Sequence, residues 1–410
     1  MGILKTVEGG VTAAKGFEAA GVEAAVKYQN RKDMALVYSA TPCKVAGVFT
    51  SNVVKAAPVV WDQKIVASAP YVQAVVVNSG IANAGTGTQG MDCCRQEAAC
   101  AGEALGIPPE AVLVASTGVI GKQMPVERLQ EGIRKLAAAK SASLDAGLDA
   151  ARAIMTTDTV HKQIAVQVEI GGREVTLGGM CKGSGMIHPN MCTMLAFVTT
   201  DANISKEMLQ KALSADVVDS FNMISVDGDT STNDTLLVLA NGLAGNEEIT
   251  GEGPDYHTFC EALHQITTYL ARKMAGDGEG ATALFETKVV GAATREEARI
   301  LAKSVICSSL TKAAIFGHDA NWGRILCALG YSGVIFDPEH VDLYFQDKER
   351  RIHIYGNGVG QDYSEEEATK ILSSPEVTVL VDMHMGTQEA TAWGCDLSYE
   401  YVRINADYRS

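Results

Sequence analysis

Residues 182–201 have the sequence Lys182-Gly-Ser-Gly-Met-Ile-His-Pro-Asn-Met-Cys-Thr-Met-Leu-Ala-Phe-Val-Thr-Thr-Asp201. A glycine-rich loop leads into Met191-Cys192-Thr193, and an apolar run follows directly. This pattern places one small hydroxyl group at the entrance of a buried element. A threonine hydroxyl becomes an effective nucleophile when a base lies beside it, and its own α-amino group can serve once the preceding peptide bond is cut. The alternative interpretation is an ordinary loop that enters a buried strand.

Length and composition indicate a folded protein with more than one subdomain. The chain has 410 residues, of which 47% are hydrophobic, and this is enough for a sizeable core. The net charge of -15 disfavours nucleic acid and anionic membranes as partners, because phosphate groups attract basic surfaces. An anionic substrate would therefore need a local basic pocket, and Lys182 is a candidate for it. No apolar run approaches the roughly 20 residues of a membrane helix.

The ten cysteines are scattered and form no C-x-x-C pair, so no zinc site is predicted. Cys93, Cys94 and Cys100 lie in a helical pattern and are expected to be core or semi-buried thiols. Scattered thiols without a signal peptide are typical of a reduced cytoplasm, and we therefore expect a cytoplasmic protein.

The periodicity of apolar residues predicts a mixture of strands and helices. It predicts strands over Val45–Thr50, Val72–Val77, Ile164–Glu169 and Thr235–Ala240, and helices over Asp92–Leu105, Val126–Ala139, Lys206–Ser214 and His257–Met274. Strict β-α-β alternation is not visible. A layered α+β fold therefore fits better than a doubly wound parallel sheet.

A separate C-terminal subdomain is predicted from about residue 285. Thr282–Ala292 and Val377–Val381 have strand patterns, and Val341–Phe345 and Arg351–Tyr355 flank a charged turn as in a hairpin. Two helices are predicted from their first residues, which are Thr294 with Glu297 and Ser364 with Glu367.

Several polar groups could serve acyl transfer. Attack by Thr193 would create an oxyanion that needs fixed donors, and Ser116-Thr-Gly118 follows an apolar run where a strand could end in a turn that exposes backbone N–H groups. Lys182 could bind a carboxylate. Gly276-Asp-Gly-Glu-Gly280 lacks the Gly-Lys-Ser/Thr ending of a phosphate loop, and its carboxylates would repel phosphate. His188 lies five residues before Thr193, but Pro189 is expected to turn its ring outward, so we do not predict it as the base.

Motifs along nearly the whole chain closely resemble those of the ornithine acetyltransferase family, the bifunctional proteins of arginine biosynthesis. Besides residues 182–201, the motifs are Thr12-Ala-Ala-Lys-Gly-Phe17, Ala46-Gly-Val-Phe-Thr-Ser-Asn52, Asn78-Ser-Gly80, Ser116-Thr-Gly118, Met155-Thr-Thr-Asp-Thr159, Ser225-Val-Asp-Gly-Asp-Thr-Ser-Thr-Asn-Asp234, Gly317-His-Asp-Ala-Asn-Trp-Gly-Arg324 and Asp396-Leu-Ser-Tyr-Glu-Tyr-Val-Arg-Ile-Asn405. Two positions depart from the family pattern. Cys192 stands where the family usually has alanine, and Ile81 stands where it more often has asparagine. We expect cleavage to survive the first change, because the side chain is still small.

The resemblance implies a self-cleaving enzyme whose new N-terminal residue, Thr193, is the nucleophile. Cleavage after Cys192 would give an alpha chain, 1–192, and a beta chain, 193–410, of which 193–284 completes the catalytic domain and 285–410 forms the C-terminal subdomain. The implied fold is α+β, a layered αββα-type sandwich of the N-terminal-nucleophile kind with a smaller C-terminal α/β subdomain.

The resemblance also implies roles for individual residues. Thr117 and Gly118 would form the oxyanion hole. The substrate contacts would be Thr156 (with Thr157 as the neighbouring alternative), Lys182, Thr193, Glu279, Asn405 and Ser410. Apart from the resemblance, the segment 317–324, which includes His318, is rich in polar groups that open a helix, and it is interpreted as mainly structural or as supporting the residues that contact the substrate.

The implied activity is transfer of the acetyl group from N-acetyl-L-ornithine to L-glutamate through an acetyl ester of Thr193. No metal or cofactor is implied, and acetyl-CoA would be a second donor if the enzyme is bifunctional. The partners would be small molecules, and the two chains would associate as a heterotetramer of two alpha and two beta chains. The alternatives are a self-cleaving aminopeptidase or amidase, in which water is the acceptor, and an uncleaved binding homologue without activity.

Overall fold

The computed structural model describes residues 4–188 and 194–407, and within them the chain has the predicted α+β class. Its contacts divide into two compact units. The first unit contains residues 4–183, 194–221 and 230–270, and the second contains 184–188, 222–229 and 271–407.

The strands, numbered in chain order, are β1 (Lys5–Val7), β2 (Phe17–Val22), β3 (Met34–Phe49), β4 (Val72–Ile81), β5 (Val112–Val119), β6 (Lys162–Ile170), β7 (Arg173–Lys182), β8 (Leu195–Thr200), β9 (Ile224–Ser225), β10 (Thr235–Ala240), β11 (Leu284–Ala292), β12 (Asp342–Gln346), β13 (Arg351–Gly356), β14 (Val359–Gly360), β15 (Glu376–Asp382) and β16 (Gln388–Cys395). All strands predicted from periodicity are confirmed, and β10 has the predicted bounds.

The α-helices are α1 (Ala57–Ser68), α2 (Gly87–Leu105), α3 (Val126–Ala139), α4 (Leu144–Ala153), α5 (Lys206–Asp216), α6 (Pro254–Gly276), α7 (Arg295–Cys307), α8 (Ser309–Phe316), α9 (Trp322–Gly330), α10 (Glu365–Leu372) and α11 (Tyr399–Ala406). The two helix starts that the sequence predicts, at Thr294 and at Ser364, are confirmed. Thr294 and Glu297 form the expected capping box of α7, and the Ser364 hydroxyl accepts a hydrogen bond from the Glu367 N–H at the start of α10.

The first unit is built on a mixed sheet with the strand order β1-β6-β7-β8-β10-β3-β4-β5, and β2 pairs with β3. The strand β8, which follows the Cys192–Thr193 junction, lies between β7 and β10. Every residue of β8 is buried. Of the two neighbours of β8, β7 comes from before the junction and β10 comes from after it.

The long strand β3 serves two parts of this sheet. Its first half pairs with β2 and β4, and its second half, from Lys44 onward, pairs with β10. The register with β4 breaks between Tyr38 and Cys43, a stretch that includes Pro42. Proline has no N–H to donate, so a continuous ladder cannot run through this point. The core lies on β3, β4 and β5, where α1 to α4 cover the sheet, and it includes the predicted core thiols Cys93, Cys94 and Cys100.

The second unit has its own mixed sheet, with the order β14-β13-β12-β15-β11-β16-β9. The predicted hairpin is confirmed as β12 and β13, and the Asp347 carboxylate accepts the backbone N–H groups of Glu349 and Arg350 in its turn. Helix α7 packs against β11 and β16.

Candidate active site

The predicted oxyanion turn lies within β5 and not after its end. Ser116, Thr117 and Gly118 continue the parallel pairing with β4. Gly118 has a φ of 131°, and a Cβ placed there would lie 2.2 Å from the carbonyl carbon of Gly80. Only glycine fits this close approach of two strands.

Asn233 fixes the peptide that precedes Thr117. Its side-chain amide donates hydrogen bonds to the Ser116 carbonyl at 2.8 Å and to the Ala82 carbonyl at 2.5 Å. In a trans peptide the C=O and the N–H point in opposite directions. Holding the Ser116 carbonyl therefore holds the Thr117 N–H on the other side of the chain. Sequence reasoning did not single out Asn233, although it lies in one of the motifs on which the resemblance rests.

Lys182 ends β7 beside the oxyanion turn. Its side chain is buried, and its Nζ donates to the Thr117 Oγ1 at 3.3 Å. Two of the residues predicted from different parts of the chain therefore lie in contact.

Asp158 connects the segments of two predicted substrate contacts, Thr156 and Lys182. Its carboxylate accepts the Thr156 N–H at 3.0 Å and the Gly183 N–H at 2.7 Å, so the segments of Thr156 and Lys182 are tied to one side chain. It also accepts the Lys162 ammonium at 2.7 Å, and both side chains of that pair are fully buried. Burial alone would raise the pKa of Asp158, but Lys182 and Lys162 outweigh it and lower this pKa to about 2. Sequence reasoning missed Asp158, which gave no stronger signal than its place in the Met155–Thr159 motif.

Asp234 lies buried where β10 begins beside β8. Burial raises its pKa well above the ordinary value, against the lowering effects of Ser231, Lys182, Thr50 and the Met194 backbone. Among the described residues, its Oδ2 has no hydrogen-bond partner. The structure thus places a buried carboxyl group with a raised pKa next to Met194, the residue that follows Thr193.

The loop before the junction is anchored within the second unit. The Asp227 carboxylate accepts the Met186 N–H at 2.6 Å and the Ile187 N–H at 2.9 Å. This holds Met186 at a φ of 55°, which non-glycine residues seldom adopt. His188 is half-buried, with its Nδ1 3.1 Å from the Ser225 Oγ and 3.6 Å from the Cys307 Sγ. The expectation that Pro189 turns this ring outward is therefore wrong. Burial, with Lys303, lowers the pKa of His188 to about 4.

Glu279 and Asn405 are in contact in the second unit. The Asn405 amide donates to the Glu279 Oε2 at 2.7 Å, and Glu279 is buried. A Cβ at position 185 would lie 2.4 Å from this carboxylate, so Gly185 gives it room. The exposed His318 has its Nδ1 3.3 Å from the Ser373 Oγ.

Three of the predicted positions, Cys192, Thr193 and Ser410, lie outside the described residues. In the first unit the structure brings together Thr117, Gly118, Thr156 and Lys182, and in the second it brings together Glu279 and Asn405. Within residues 4–188 and 194–407, no three His, Cys, Asp or Glu side chains come close enough to hold a metal ion. The described helices include none that is long and apolar enough to cross a membrane.

A buried lysine beside a threonine-glycine turn, on the mixed sheet of an α+β fold, supplies a cation and backbone N–H groups of the kind that acyl-transfer enzymes use. The model of the ArgJ family matches residues 18–410. The chain is 53% identical over 409 residues to the arginine biosynthesis bifunctional protein ArgJ of Symbiobacterium thermophilum, with 99% of this chain and 100% of the relative covered. It is 50% identical over 397 residues to the protein of the same name from Thermotoga neapolitana, with 97% and 99% covered.

This chain therefore belongs to the ArgJ family. A crystal structure of the arginine biosynthesis bifunctional protein ArgJ from Bacillus halodurans is 50% identical in sequence, with a TM-score of 0.49, over 51% of this chain and 97% of that one.

Proposed function

We propose that this enzyme transfers the acetyl group of N-acetyl-L-ornithine to L-glutamate in arginine biosynthesis. Family membership over residues 18–410 supports the reaction. The structural observation that carries it is the contact of Lys182 with Thr117 at 3.3 Å. It places a cation suited to an α-carboxylate directly beside the proposed oxyanion turn.

The proposed reaction has two half-reactions that share one pocket. The Thr193 Oγ attacks the acetyl carbonyl of N-acetylornithine, the C–N bond breaks, and the hydroxyl proton passes through the α-amino group of Thr193 to the departing ornithine amine. The backbone N–H groups of Thr117 and Gly118 stabilise the oxyanion. The glutamate amine then attacks the acetyl ester, and Thr193 recovers its proton.

The substrate contacts fall into two sets. Lys182 binds the α-carboxylate that both amino acids carry, and Thr156 lies beside it through Asp158. Glu279 receives the δ-ammonium of ornithine and is oriented by Asn405, and Ser410 completes the set.

Self-cleavage between Cys192 and Thr193 produces the nucleophile's free amine. The Thr193 Oγ attacks the Cys192 carbonyl, the C–N bond of that peptide breaks, and the hydroxyl proton passes to the released Thr193 amine. Water then hydrolyses the resulting ester and leaves the Cys192 carboxylate and the free Thr193 hydroxyl. The products are an alpha chain, 1–192, and a beta chain, 193–410, whose C-terminal subdomain is 285–410. We propose that they stay associated in a cytoplasmic heterotetramer of two alpha and two beta chains.

The acceptor distinguishes this function from that of a self-cleaving aminopeptidase or amidase. The test measures the products from N-acetylornithine with glutamate present and with water alone. N-acetylglutamate formed in step with ornithine is expected. Ornithine release at the same rate without glutamate, with no N-acetylglutamate, would favour the hydrolase.

A further inference from the structure

Self-cleavage needs a proton carrier that the proposed acetyl transfer does not need. In the transfer, the free α-amino group of Thr193 accepts and returns the hydroxyl proton. Before cleavage the same nitrogen belongs to the Cys192–Thr193 peptide bond, where resonance with the carbonyl group leaves it with little basicity. Another group must therefore take the proton of the attacking hydroxyl and supply one to the departing nitrogen. A protonated carboxyl group can do both, because one oxygen donates while the other accepts.

Asp234 lies beside the residue that follows Thr193. The parallel pairing of β8 and β10 includes Leu195 with Thr235, and the Thr235 N–H donates to the Met194 carbonyl at 2.8 Å. Asp234 directly precedes Thr235 in the chain, so it lies opposite Met194 at the start of β8. The Met194 nitrogen is covalently bonded to the carbonyl carbon of Thr193. A carboxyl group that contacts this nitrogen is therefore separated from the reacting groups of Thr193 by a few bond lengths.

Lys182 shows that other groups of the candidate active site converge at the same end of β8. It pairs with Leu195 from the β7 side, and Thr235 pairs with the same residue from the β10 side. The Lys182 Nζ donates to the Thr117 Oγ1 at 3.3 Å. Asp234 and the proposed oxyanion turn are therefore both held near the first residue of β8.

The surroundings of the Asp234 carboxyl group favour its protonated form. Asp234 is only 1% exposed, and burial raises its pKa well above the usual 3.8. Burial outweighs the groups that lie around the carboxyl group and lower this pKa, which are the Ser231 hydroxyl, the charge of Lys182, the Thr50 hydroxyl and the Met194 N–H. The backbone is fixed as well, because the Asp234 carbonyl accepts the Thr50 N–H at 3.0 Å.

One oxygen of this carboxyl group is available for proton exchange. The Oδ2 atom is buried, and it has no hydrogen-bond partner within residues 4–188 and 194–407. Buried polar atoms are nearly always paired, so an unpaired carboxyl oxygen calls for an explanation. The hydroxyl and the α-nitrogen of Thr193, which lie outside those residues, are groups of the kind that would pair with it.

We propose that Asp234 is the proton carrier of the self-cleavage. As the Thr193 Oγ bonds to the Cys192 carbonyl carbon, one oxygen of the Asp234 carboxyl group accepts the hydroxyl proton. The other oxygen gives its proton to the Thr193 nitrogen, and the C–N bond breaks. The products are the Cys192 ester of Thr193, a free amine and an unchanged neutral carboxyl group. This inference rests on the proposed self-cleavage, for which it supplies the acid and the base.

Cleavage and transfer should depend on Asp234 to different extents. Once the α-amino group of Thr193 is free, it serves as the base of the transfer. The carboxyl group then has no proton to carry in that reaction. A merely structural role of Asp234 would instead reduce both activities together.

A pulse–chase experiment on the full chain tests this role. Chains made by cell-free synthesis are followed on denaturing gels as they convert to the pieces 1–192 and 193–410. Asp234→Asn keeps the size of the side chain and one acceptor oxygen but cannot carry the proton, so it should slow conversion by roughly a hundredfold or more. Asp234→Glu retains a carboxyl group and should restore part of the rate. Transfer per cleaved chain of Asp234→Asn should fall by no more than about tenfold.

Asp201→Asn is the matched control, because Asp201 is a buried carboxyl group at the other end of β8. Its two oxygens accept the Thr176 N–H at 2.8 Å and the Lys15 N–H at 3.1 Å, and burial raises its pKa as well. The variant loses one of these hydrogen bonds, so its melting temperature should decrease. Its cleavage rate should stay normal.

The pH dependence of cleavage distinguishes proton transfer from a structural role. The protonated carboxyl group is the active form, and its pKa is raised, so its contribution is complete at low pH and is lost as the pH rises through that pKa. The ratio of the cleavage rate of the unchanged protein to that of Asp234→Asn should therefore decrease as the pH rises. Both proteins keep Lys182, the charged group that faces this carboxyl group, so its titration acts on both rates.

A rate ratio that does not change with pH would overturn the proposal, as would a normal cleavage rate in Asp234→Asn or an equal slowing in Asp201→Asn. Equal loss of cleavage and of transfer per cleaved chain would also overturn it. If Asp234→Asn does not fold, Asp234→Ser, which has a smaller side chain, gives the same decision. Failure of the unchanged protein to cleave would reject the proposed self-cleavage together with this role, whereas normal cleavage in both proteins would reject the role alone.

Discussion

Asn233 and Asn241 lie just before and just after β10, and they form a matched pair. Both side chains are 7% exposed. The Asn233 amide holds the carbonyls of Ser116 and Ala82, and the Asn241 amide holds the carbonyl of Lys15 at 2.8 Å. Only the first contact fixes the peptide that carries the Thr117 N–H. Comparing variants at the two positions therefore distinguishes an effect on stability alone from an effect on the candidate active site.

Asn233→Ala should lower kcat by roughly ten- to a hundredfold, because the proposed oxyanion donor loses its orientation. KM for glutamate should change little, since Lys182 is untouched. Steady-state kinetics checks this, with Asn241→Ala as the control. The melting temperature should decrease by a similar amount in both variants, because each variant leaves a buried carbonyl group without its hydrogen bond. Equal kcat values in the two variants would reject the role of Asn233.

Glu97 gives the first unit a pH-dependent stability. It is buried in α2 beside Cys93, and burial raises its pKa from 4.5 to about 7. Below pH 4.5 the folded and the unfolded chain both hold the proton, and between pH 4.5 and 7 only the folded chain does. The contribution of Glu97 to stability is therefore complete below pH 4.5 and is lost as the pH rises to 7.

Melting temperatures of Glu97→Gln and of the unchanged protein should accordingly diverge as the pH rises through this window. The variant should gain up to roughly 1 to 3 kcal/mol relative to the unchanged protein. The exposed Glu103 of the same helix supplies the control, Glu103→Gln. Parallel curves for Glu97→Gln and the unchanged protein would show that Glu97 is ionised in the folded state.

At the scale of the elements, the loop 184–188 and strand β8 position the two sides of the junction. Strand β8 is fixed by β7 and β10, and the loop is fixed by the carboxylate of Asp227. The loop 184–188 and β8 are thus each held by contacts within their own unit. The proposed self-cleavage requires the Thr193 hydroxyl to reach the Cys192 carbonyl, and restricting the motion of the preceding loop should reduce the entropic cost of that step.

Asp227→Ala should slow self-cleavage by roughly tenfold or more, because Met186 and Ile187 lose the acceptor that holds the loop. A time course on denaturing gels measures the conversion of the full chain to its two pieces. Asp229→Ala removes an exposed carboxylate two residues away and should cleave at the normal rate. A normal cleavage rate in Asp227→Ala would mean that cleavage does not depend on the hydrogen bonds from Met186 and Ile187 to this carboxylate.

Local elements of this fold could be predicted from the sequence, and long-range contacts could not. The capping box of Thr294 and Glu297 and the bounds of β10 follow from residues close in the chain. The place of β10 beside both β3 and β8 depends on residues far apart, which periodicity does not register. The same limit applies to the candidate active site, whose contacts also join residues far apart in the chain. Lys182 was predicted from its motif, but its contact with Thr117 and the roles of Asp158 and Asn233 required the fold.

At the scale of the whole molecule, the first sheet interleaves the two proposed pieces. Strands β8 and β10 come from after the junction, and they lie between β7 and β3, which come from before it. Separating the pieces would expose the buried faces and unpaired edges of all four strands. Neither piece has a complete sheet in this unit.

The two pieces should therefore co-elute in size-exclusion chromatography under native conditions. Light scattering should give a mass of at least two full chains, as expected for the proposed heterotetramer. Separate elution of the pieces, with activity in either one, would contradict the assignment of the site.

The central claim is that Thr193, freed by self-cleavage, carries the acetyl group. Intact-mass analysis of the protein incubated with N-acetylornithine, without glutamate, tests it most directly. The account predicts a 193–410 piece that gains one acetyl group on Thr193 and loses it when glutamate is added, while Thr193→Ala stays one full chain and gains none. A full-length chain that transfers acetyl groups with Thr193 unmodified, or an acetyl group on another residue, would contradict it.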